Sequence, residues 1–314
     1  MLDGWRNHGD QEAGAGTASS CAPGTLPRGR QGASRAATLP PPMPFPPRRH
    51  LFEFNDSPWA PVALRETIIE SLSRALEWGR ILRGMVAPFR AFLAEARVTQ
   101  VLDLCSGAGG PVAILAAELA RENLPLPHFL LTDLQPHPEV WSRLRDRYPE
   151  FVDFVAEPVD ATRIPRRVGE GRARVIINAL HHFPPELARA IVLGACADGP
   201  GVFIAEGFER RPLSFGAFAA AGVPALYANP VLSPRHKIEK ALLTWAVPAA
   251  LAASIWDGLV STLRVYTEEE LRAMVAPLGD TFRWHYGTFD FSPGGRGYYF
   301  RGVRVGENEK RRPT

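Results

Sequence analysis

The sequence predicts an α/β fold built on a doubly wound, mostly parallel sheet. Apolar runs alternate with helical segments through the middle of the chain, which is typical of parallel strands joined by helices on both faces. Five of these runs are the predicted parallel strands: 98–104, 129–134, 151–156, 174–178 and 202–206. Two later runs, 281–291 and 297–305, flank the turn sequence SPGGR and predict a terminal antiparallel hairpin.

Helical periodicity fills the intervals between the predicted strands. Apolar residues recur at three- and four-residue spacing in 111–121, 138–148 and 185–196. The same pattern occupies 62–83, and 89–96 adds a shorter helix before the first strand. We therefore expect residues 51–97 to form a helical N-terminal cover ahead of the sheet.

The chain between the fifth strand and the hairpin departs from this alternation. We expect a helical insertion at about 207–265, followed by a helix that starts at Thr267 with the capping box TEEEL. The insertion contains an apolar stretch, 241–256, that would span about 24 Å as a helix, short of the roughly 30 Å hydrocarbon core. A buried or lid-forming segment is favoured, and a membrane contact is the alternative.

Composition excludes several classes of protein. With 314 residues, 46% hydrophobic and 22% charged, the chain is neither wholly disordered nor fibrous. Its three cysteines exclude a disulfide scaffold and favour the cytoplasm. The net charge of +3 and the lack of a basic patch interleaved with aromatic residues argue against nucleic acid as a partner.

The first fifty residues form a separate compositional region. Segments such as GAGTASS and LPPPMPFPPRRH are rich in small residues and proline and show no apolar periodicity, so residues 1–50 are predicted to be a disordered tail. No apolar core of a signal peptide follows a basic start. Met43 stands just before the first organised residues, and a native start at that methionine is an open alternative.

The sharpest motif is the sequence VLDLCSGAGGP at residues 101–111. A buried strand leads into a loop of small residues, and Pro111 is suited to the first turn of a helix. Glycines in such a loop allow the backbone to approach a ligand closely. A nicotinamide-binding fingerprint needs Gly or Ala three places after Gly109, where this chain has Val112, so the dehydrogenase interpretation is disfavoured.

The run from Asp103 to Gly109 resembles motif I of the class I S-adenosylmethionine-dependent methyltransferases. The family usually has glycine at the position of Cys105. The resemblance implies a Rossmann-like, seven-stranded sheet over residues 98–314. It also implies that the last strand is inserted antiparallel between the fifth strand and its hairpin partner.

Further motifs follow in the order of that family: FLLTDLQ, VDATRIP and IINALHHF. By resemblance, the Asp133 carboxylate accepts hydrogen bonds from the two ribose hydroxyls of the methyl donor. Asp160 and Ala161 are expected to bind the adenine. Asp103 is expected near the amino-acid end of the donor. The implied cofactor is S-adenosyl-L-methionine, and the residues expected to bind it are Asp103, Cys105, Gly107, Gly109, Asp133, Leu134, Asp160, Ala161 and Asn178.

The implied activity is methyl transfer to a small, apolar or lipid-like acceptor, and the alternative is a non-catalytic donor-binding protein. His181 and His182 are candidate general bases because imidazole titrates near neutrality. Packing beneath the ligand and helix capping are their alternative roles. No cluster of acids is evident beside the two histidines, so no metal is expected. The fourth-strand region also lacks the Asn-Pro-Pro-aromatic signature of enzymes that methylate nucleic acids.

The insertion supplies the candidate acceptor pocket. We expect Trp245 and Trp256 to line or roof it, and Asp257, Arg264 and Tyr266 to contribute polar groups. A buried charge needs a partner, and an Asp257–Arg264 ion pair two turns apart on one helix is the predicted pairing. The segment 52–61, FEFNDSPWAP, is also rich in polar and aromatic residues, but the sequence does not indicate what each of them does. A membrane surface is a possible but not favoured partner.

Overall fold

The parallel strands and the antiparallel terminal hairpin of the central sheet match those expected from the sequence. The computed structural model describes residues 45–212 and 215–306, so the predicted tail lies mostly outside the described residues. Seven strands form one sheet in the order β3-β2-β1-β4-β5-β7-β6. Strands β1 to β5 pair in parallel, whereas β7 pairs antiparallel with both β5 and β6. The hairpin is therefore inserted as predicted, with β7 next to β5.

The parallel strands are β1 (Gln100–Leu104), β2 (His128–Thr132), β3 (Val152–Phe154), β4 (Ala173–Ile177) and β5 (Gly201–Glu206). The hairpin consists of β6 (Phe282–Phe291) and β7 (Gly295–Arg304). The helices on the two faces are α2 (Val86–Ala96), α3 (Gly110–Arg121), α4 (Pro138–Arg147), α5 (Arg166–Gly169), α6 (Pro185–Ala197) and α10 (Glu268–Val275). Thr267 and Glu270 form the predicted capping box at the start of α10.

Two hydrophobic cores lie on opposite faces of this sheet. One core joins the sheet to α2 and α3 through residues such as Phe89 and Leu115. The other joins it to α6 and α10 through residues such as Ile191 and Leu271. Burial on both faces explains why the parallel strands are apolar throughout and not alternating.

Three further helices form a roof at the carboxyl end of the strands, and we use that word for them below: α1 (Val62–Trp78), α7 (Phe215–Leu232) and α9 (Ala249–Arg264). They meet in a third apolar cluster, which contains Leu64 and Ile68 of α1, Leu226 of α7 and Ala250 of α9. The described residues all belong to one compact unit, so the predicted cover and insertion pack together over one sheet.

The apolar stretch 241–256 is not one helix. Helix α8 (Lys237–Ala241) continues into a π-helical turn, Leu242–Ala246, and α9 starts after Pro248. The axes on the two sides of this break differ by 81°. By length and composition α7 could cross a membrane, and α8 with α9 would pass the same test as one bent span. The break follows from Pro248, which cannot donate a backbone hydrogen bond within a helix.

The boundary of the predicted tail requires a correction. Residues 45–50 lie against the folded unit, and Arg48 donates to the carbonyl oxygens of Phe183 at 2.8 Å and Arg264 at 2.6 Å. The Arg48 guanidinium also lies over the Tyr266 ring, 4.3 Å from its centre. Proline-rich sequence without apolar periodicity predicted disorder here, but polar contacts from Arg48, Arg49 and His50 hold this segment on the folded unit.

Candidate active site

The glycine loop at the end of β1 adopts the conformations that its sequence predicts. Gly107 and Gly109 have φ of +51° and +76°, and a Cβ on Gly107 would meet no atom within 4 Å. Cys105 also has a positive φ, +59°, at the position where the resembled family usually has glycine. The loop is held in place by Trp141, whose Nε1 donates to the Gly107 carbonyl at 2.9 Å.

Asp133 lies beside this loop at the end of β2. One carboxylate oxygen accepts the Gly107 N–H at 2.8 Å, and the other accepts the Gln135 N–H at 2.8 Å. Each oxygen has a second lone pair, so the carboxylate can still receive two further donors. Leu134 is exposed next to it. This half-buried carboxylate is therefore positioned by the loop and still open to a ligand.

Asp160 and Ala161 follow β3 at the same edge. The exposed Asp160 carboxylate accepts the N–H and the hydroxyl of Thr162, at 2.8 and 2.7 Å. These two bonds lower the pKa of Asp160. Ala161 is buried. Neither residue lines the cavity between the loop and the helices α1, α7 and α9.

Asp103 is buried behind the loop and does not line the cavity. Burial raises its pKa to about 7, and the neighbouring Asp133 carboxylate acts in the same direction. Burial likewise raises the pKa of the Cys105 thiol to about 12, so this cysteine is not a nucleophile at neutral pH. Cys105 contributes to the site through its backbone, which has a positive φ, and by lining the cavity.

A cavity of about 340 Å³ lies between the glycine loop and the roof. Gly107 and Cys105 line it from below, and Asn178 lines it at the end of β4. Asn178 has a φ of +53°, and its Oδ1 accepts the Gly207 N–H at 2.7 Å, which ties the ends of β4 and β5 together. The helices of the roof supply a mostly apolar surface, including Ile68, Leu72, Phe218, Leu226, Leu251 and Ile255.

His181 lines the cavity and is paired with a carboxylate that sequence reasoning missed. Its Nδ1 lies 2.8 Å from Oε2 of Glu206, at the end of β5, and its backbone N–H donates to Oε1 at 3.2 Å. Both side chains are buried. Since β4 and β5 are neighbours, residues at their carboxyl ends are expected to meet, and this rule could have identified Glu206.

His182 also lines the cavity, beside two acids from the N-terminal cover. Its Nδ1 is 3.3 Å from Oδ2 of Asp56 and 3.6 Å from Oε2 of Glu53. The rings of His181 and His182 are 4.1 Å apart. The expectation that no acid cluster adjoins the histidines is therefore wrong, because the acids come from a segment far away in the sequence.

Arg264 neutralises this cluster. Its Nη1 lies 3.0 Å from a carboxylate oxygen of both Glu53 and Asp56. Glu53, Asp56 and His182 are close enough together to share a metal ion. The guanidinium, however, already places a positive charge between the two carboxylates, so the cluster is balanced by a side chain of the protein.

The two carboxylates of the cluster differ in environment. Burial raises the pKa of Glu53 to about 7, and the charges of His182 and Arg264 offset only part of that effect. Burial also acts on Asp56, but hydrogen bonds from His182 and Arg264 outweigh it and hold the pKa of Asp56 well below its usual range. Asp56 is therefore the carboxylate that stays ionised beside His182.

The predicted Asp257–Arg264 ion pair is not formed. Both side chains instead hold residues 51–56, which we call the strap. Asp257 accepts the backbone N–H groups of Phe54 and Asn55 at 2.7 and 3.0 Å. Arg264 donates to the Leu51 carbonyl and to Asp56 Oδ2, and it forms an ion pair with Glu53. Spacing along one helix suggested a pair, but each group found a closer partner in the strap.

Two more side chains of α9 complete this attachment. Trp256 Nε1 donates to the Phe52 carbonyl at 3.0 Å, and Ser261 Oγ donates to Glu53 Oε1 at 2.7 Å. The Phe52 and Trp256 rings are 5.3 Å apart. Every residue of the strap thus contacts α9, and Asn55 and Asp56 project into the lining of the cavity.

Of the five residues predicted for the acceptor pocket, only Asp257 lines the cavity. Trp245 is exposed on the far side of the break at Pro248, and its Nε1 donates to the Tyr227 carbonyl at 3.1 Å. Trp256 packs on the outside of the strap. Tyr266 is buried, and its hydroxyl donates to the Phe183 carbonyl at 2.6 Å. Arg264 contacts the two acids Glu53 and Asp56 and does not line the cavity.

Comparisons with known proteins give only distant similarities. No family model and no curated protein matches the sequence. An O-methyltransferase family protein from Burkholderia thailandensis is 16% identical, with a TM-score of 0.41 over 73% of this chain and 58% of that one. Magnesium protoporphyrin IX methyltransferase from Synechocystis PCC 6803, solved with SAM, is 13% identical, with a TM-score of 0.40 over 79% and 100% of the two chains.

The plantazolicin methyltransferase BpumL, solved in complex with SAH, is 12% identical, with a TM-score of 0.41 over 77% of this chain and 99% of that one. Structural similarity at this level carries no argument about activity.

Proposed function

We propose that the protein transfers a methyl group from S-adenosyl-L-methionine to a small, mostly apolar acceptor. One observation carries this proposal: the glycine loop opens directly into a cavity on whose wall two carboxylate-paired histidines lie. A methyl donor on the loop and an acceptor in the cavity would then meet beside the histidines.

The residues on both sides of the loop suit this donor. When bound, the donor supplies a methyl group already activated by its sulfonium centre. Asp133 has free lone pairs for the two ribose hydroxyls, and Asp160 with Ala161 lies at the same open edge for the adenine. Gly107 leaves space for close backbone approach, and Asn178 lies where the cavity begins. Asp103 stays behind the loop and does not line the cavity.

His182 is the proposed general base. If its Nδ1–H is donated to Asp56, the neutral ring keeps a lone pair on Nε2 for an acceptor proton. Arg264 fixes the Asp56 carboxylate, so the ring is oriented by a short chain of charged groups. His181 is more enclosed, since Glu206 binds both its ring and its backbone, and its proposed role is to position His182 by ring contact.

Two buried polar atoms without a hydrogen-bond partner indicate the kind of acceptor that the cavity would bind. Asn55 Oδ1 and Ser254 Oγ are buried, and neither has a hydrogen-bond partner among the described residues. Both residues line the cavity, whose remaining roof surface is mainly apolar. A buried polar atom is costly unless it is paired. An acceptor with an apolar body and one or two hydroxyl or amine groups would satisfy these atoms.

Two experiments test the proposal. Calorimetry should detect binding of S-adenosylmethionine and its demethylated product, and tighter binding of NAD would overturn the assignment. Incubation of the full chain with methyl-labelled donor and a metabolite extract, followed by mass spectrometry, should yield a labelled product. Donor binding without any labelled product would favour the alternative of a non-catalytic binding protein.

The role of His182 has its own test. We expect His182→Gln to lower turnover of the identified acceptor by about 10²–10⁴-fold, the usual contribution of a general base, while donor affinity is retained. The exposed His285 provides the control, and His285→Gln should leave turnover unchanged. Full turnover by His182→Gln would remove the general base from the proposal.

A further inference from the structure

Helices α7 and α8 carry a large apolar surface on the outside of the roof. The side chains of Ile238, Val231 and Trp245 are 75%, 65% and 53% exposed. Leu242 and Val247 are exposed beside them. Together with Leu232 these residues form one patch, which we call the α7–α8 patch. Large contiguous apolar patches are rare on the surface of soluble monomers, and where they occur they usually mark an interaction site.

Buried contacts beneath it fix the orientation of the α7–α8 patch. Lys240 is fully buried, and its Nζ lies 2.8 Å from Glu66 and 3.0 Å from Glu70, both on α1. Thr244 is buried one turn later. Because positions 240 and 244 face inward, positions 238, 242 and 245 are held on the outer side of the segment. Their exposure is therefore a consequence of the anchoring lysine.

The patch surrounds a shallow apolar groove and has a basic margin. The groove measures about 450 Å³, and Ile238, Leu242 and Trp245 are among its walls. Lys237 lines the groove and is exposed, as is Arg235 two positions earlier in the chain, and neither forms an ion pair within the described residues. Their charged neighbours include His236 and Glu239, which lie 3.9 Å apart, and the buried pair of Lys240 with Glu70, which meets the Arg235 backbone through Ser233.

An apolar stripe connects this patch to the mouth of the cavity. Val223, Tyr227 and Val231 are exposed at four-residue intervals along α7, so they share one face of the helix. Val223 also lines the cavity. Trp245 is tied to the middle of the stripe through its bond to the Tyr227 carbonyl. The cavity mouth and the patch therefore belong to one continuous surface.

We propose that the α7–α8 patch docks the protein on an anionic lipid bilayer, with the helices lying in the membrane interface. Exposed aliphatic side chains together with a tryptophan suit the boundary between head groups and acyl chains. The unpaired Arg235 and Lys237 provide the charge complementarity to anionic head groups. The inference goes beyond methyl transfer and can be tested without donor or acceptor.

Flotation of the full chain with lipid vesicles tests this docking. The protein should float with vesicles of phosphatidylcholine mixed with phosphatidylglycerol, and much less with phosphatidylcholine alone. Raised salt should weaken the binding, since the charge interaction is screened. Equal binding to the two kinds of vesicle would contradict the proposal, because the basic margin would then have no role.

Matched variants locate the contact. The double substitution Ile238→Glu with Leu242→Glu should reduce vesicle binding at least tenfold without changing the melting temperature. Val140→Glu with Leu187→Glu is the control, since these two apolar residues are exposed on α4 and α6. Arg235→Glu with Lys237→Glu should weaken binding to the anionic vesicles, and Arg143→Glu with Arg189→Glu makes the same charge change elsewhere.

A second copy of the chain is the competing occupant of the patch. Sedimentation velocity on the unsubstituted protein should show a monomer in the absence of lipid. A dimer that the Ile238→Glu and Leu242→Glu substitutions dissociate would overturn the proposal. Unchanged vesicle binding by that variant would overturn it as well.

Discussion

The floor of the cavity, made by the glycine loop and the ends of β1 and β4, is held by nearby parts of the chain, whereas its roof is held by distant ones. Gly107 and its carboxylate partner Asp133 are 26 residues apart. The strap and the α9 side chains that hold it are separated by 202 to 213 residues. The floor depends mainly on backbone conformation, and the roof on individual polar side chains. Substitutions should therefore affect the two separately.

The largest expected effect comes from removing the charge that holds the roof. Arg264→Leu leaves Glu53 and Asp56 without their cation, and we expect it to lower the free energy of unfolding by about 3–5 kcal/mol. Urea denaturation measures this loss. The matched control is Arg272→Leu, which breaks an exposed pair with Glu268 and should cost about 0–1 kcal/mol. Similar losses in both variants would show that the strap is not held by this cluster.

On the floor, Asp103 should make stability depend on pH. Its pKa is about 7 in the folded protein and about 3.8 in an unfolded chain, so the folded state binds more protons between these values. Stability should therefore fall as pH rises from 4 to 7, by as much as about 4 kcal/mol in all. Asp103→Asn should reduce this dependence in denaturation experiments at pH 5 and pH 8, and Glu53, whose pKa burial also raises to about 7, should account for the part that remains.

The exposed Asp290 is the control for that pH series. A hydrogen bond from Arg296 lowers its pKa, so its contribution to stability is lost only in acid. Asp290→Asn should keep the decline in stability between pH 5 and pH 8. If Asp103→Asn shows the same decline as the unsubstituted protein, the buried carboxyl is not its source.

Donor affinity should depend on the floor alone. Asp133→Ala removes the proposed ribose contacts and should weaken binding of S-adenosylmethionine by about 1.5–3 kcal/mol, the range for hydrogen bonds to a charged group. Calorimetry on the folded variant measures the change. Glu139→Ala, an exposed acid in the first turn of α4, should bind the donor normally. Unchanged affinity in Asp133→Ala would remove the ribose assignment.

The smallest effect is expected where a single hydrogen bond of the roof is lost. Trp256→Phe keeps the ring contact with Phe52 but removes the bond to its carbonyl, at a cost of about 0.5–1.5 kcal/mol. Amide hydrogen exchange in residues 51–56 should become faster while donor affinity stays the same. Trp245→Phe removes a similar bond outside the strap and should leave that exchange unchanged. A loss of donor affinity in Trp256→Phe would show that floor and roof are coupled.

The sequence predicted the floor well because its signals are local. Alternating runs and helices identified the parallel sheet, and the spacing of Asp103, Gly107 and Gly109 located the loop at the end of β1. The capping box at Thr267 was also correct in detail. Each of these features depends on residues that are close together in the chain.

The roof could not be predicted in the same way. Glu53 and Asp56 lie more than a hundred residues before His182, and no periodicity relates them. Trp245 was expected in the acceptor pocket, but the bend at Pro248 turns it outward. Asp257 and Arg264 were recognised as buried charges in need of partners. Their partners lie in the strap, where the sequence shows no periodic pattern that would predict these contacts.

The strap also determines the order in which the protein can assemble. A ribosome releases residues 51–56 early, yet their partners on α9 emerge only after five strands of the sheet have been made. Contacts of such long sequence separation form late, because the chain between them must first become compact. Until then, Glu53 and the apolar face of α1 stay exposed on the nascent chain. The cavity thus acquires its roof only after α9 has been synthesised, and truncation before residue 264 would leave the parallel strands without that roof.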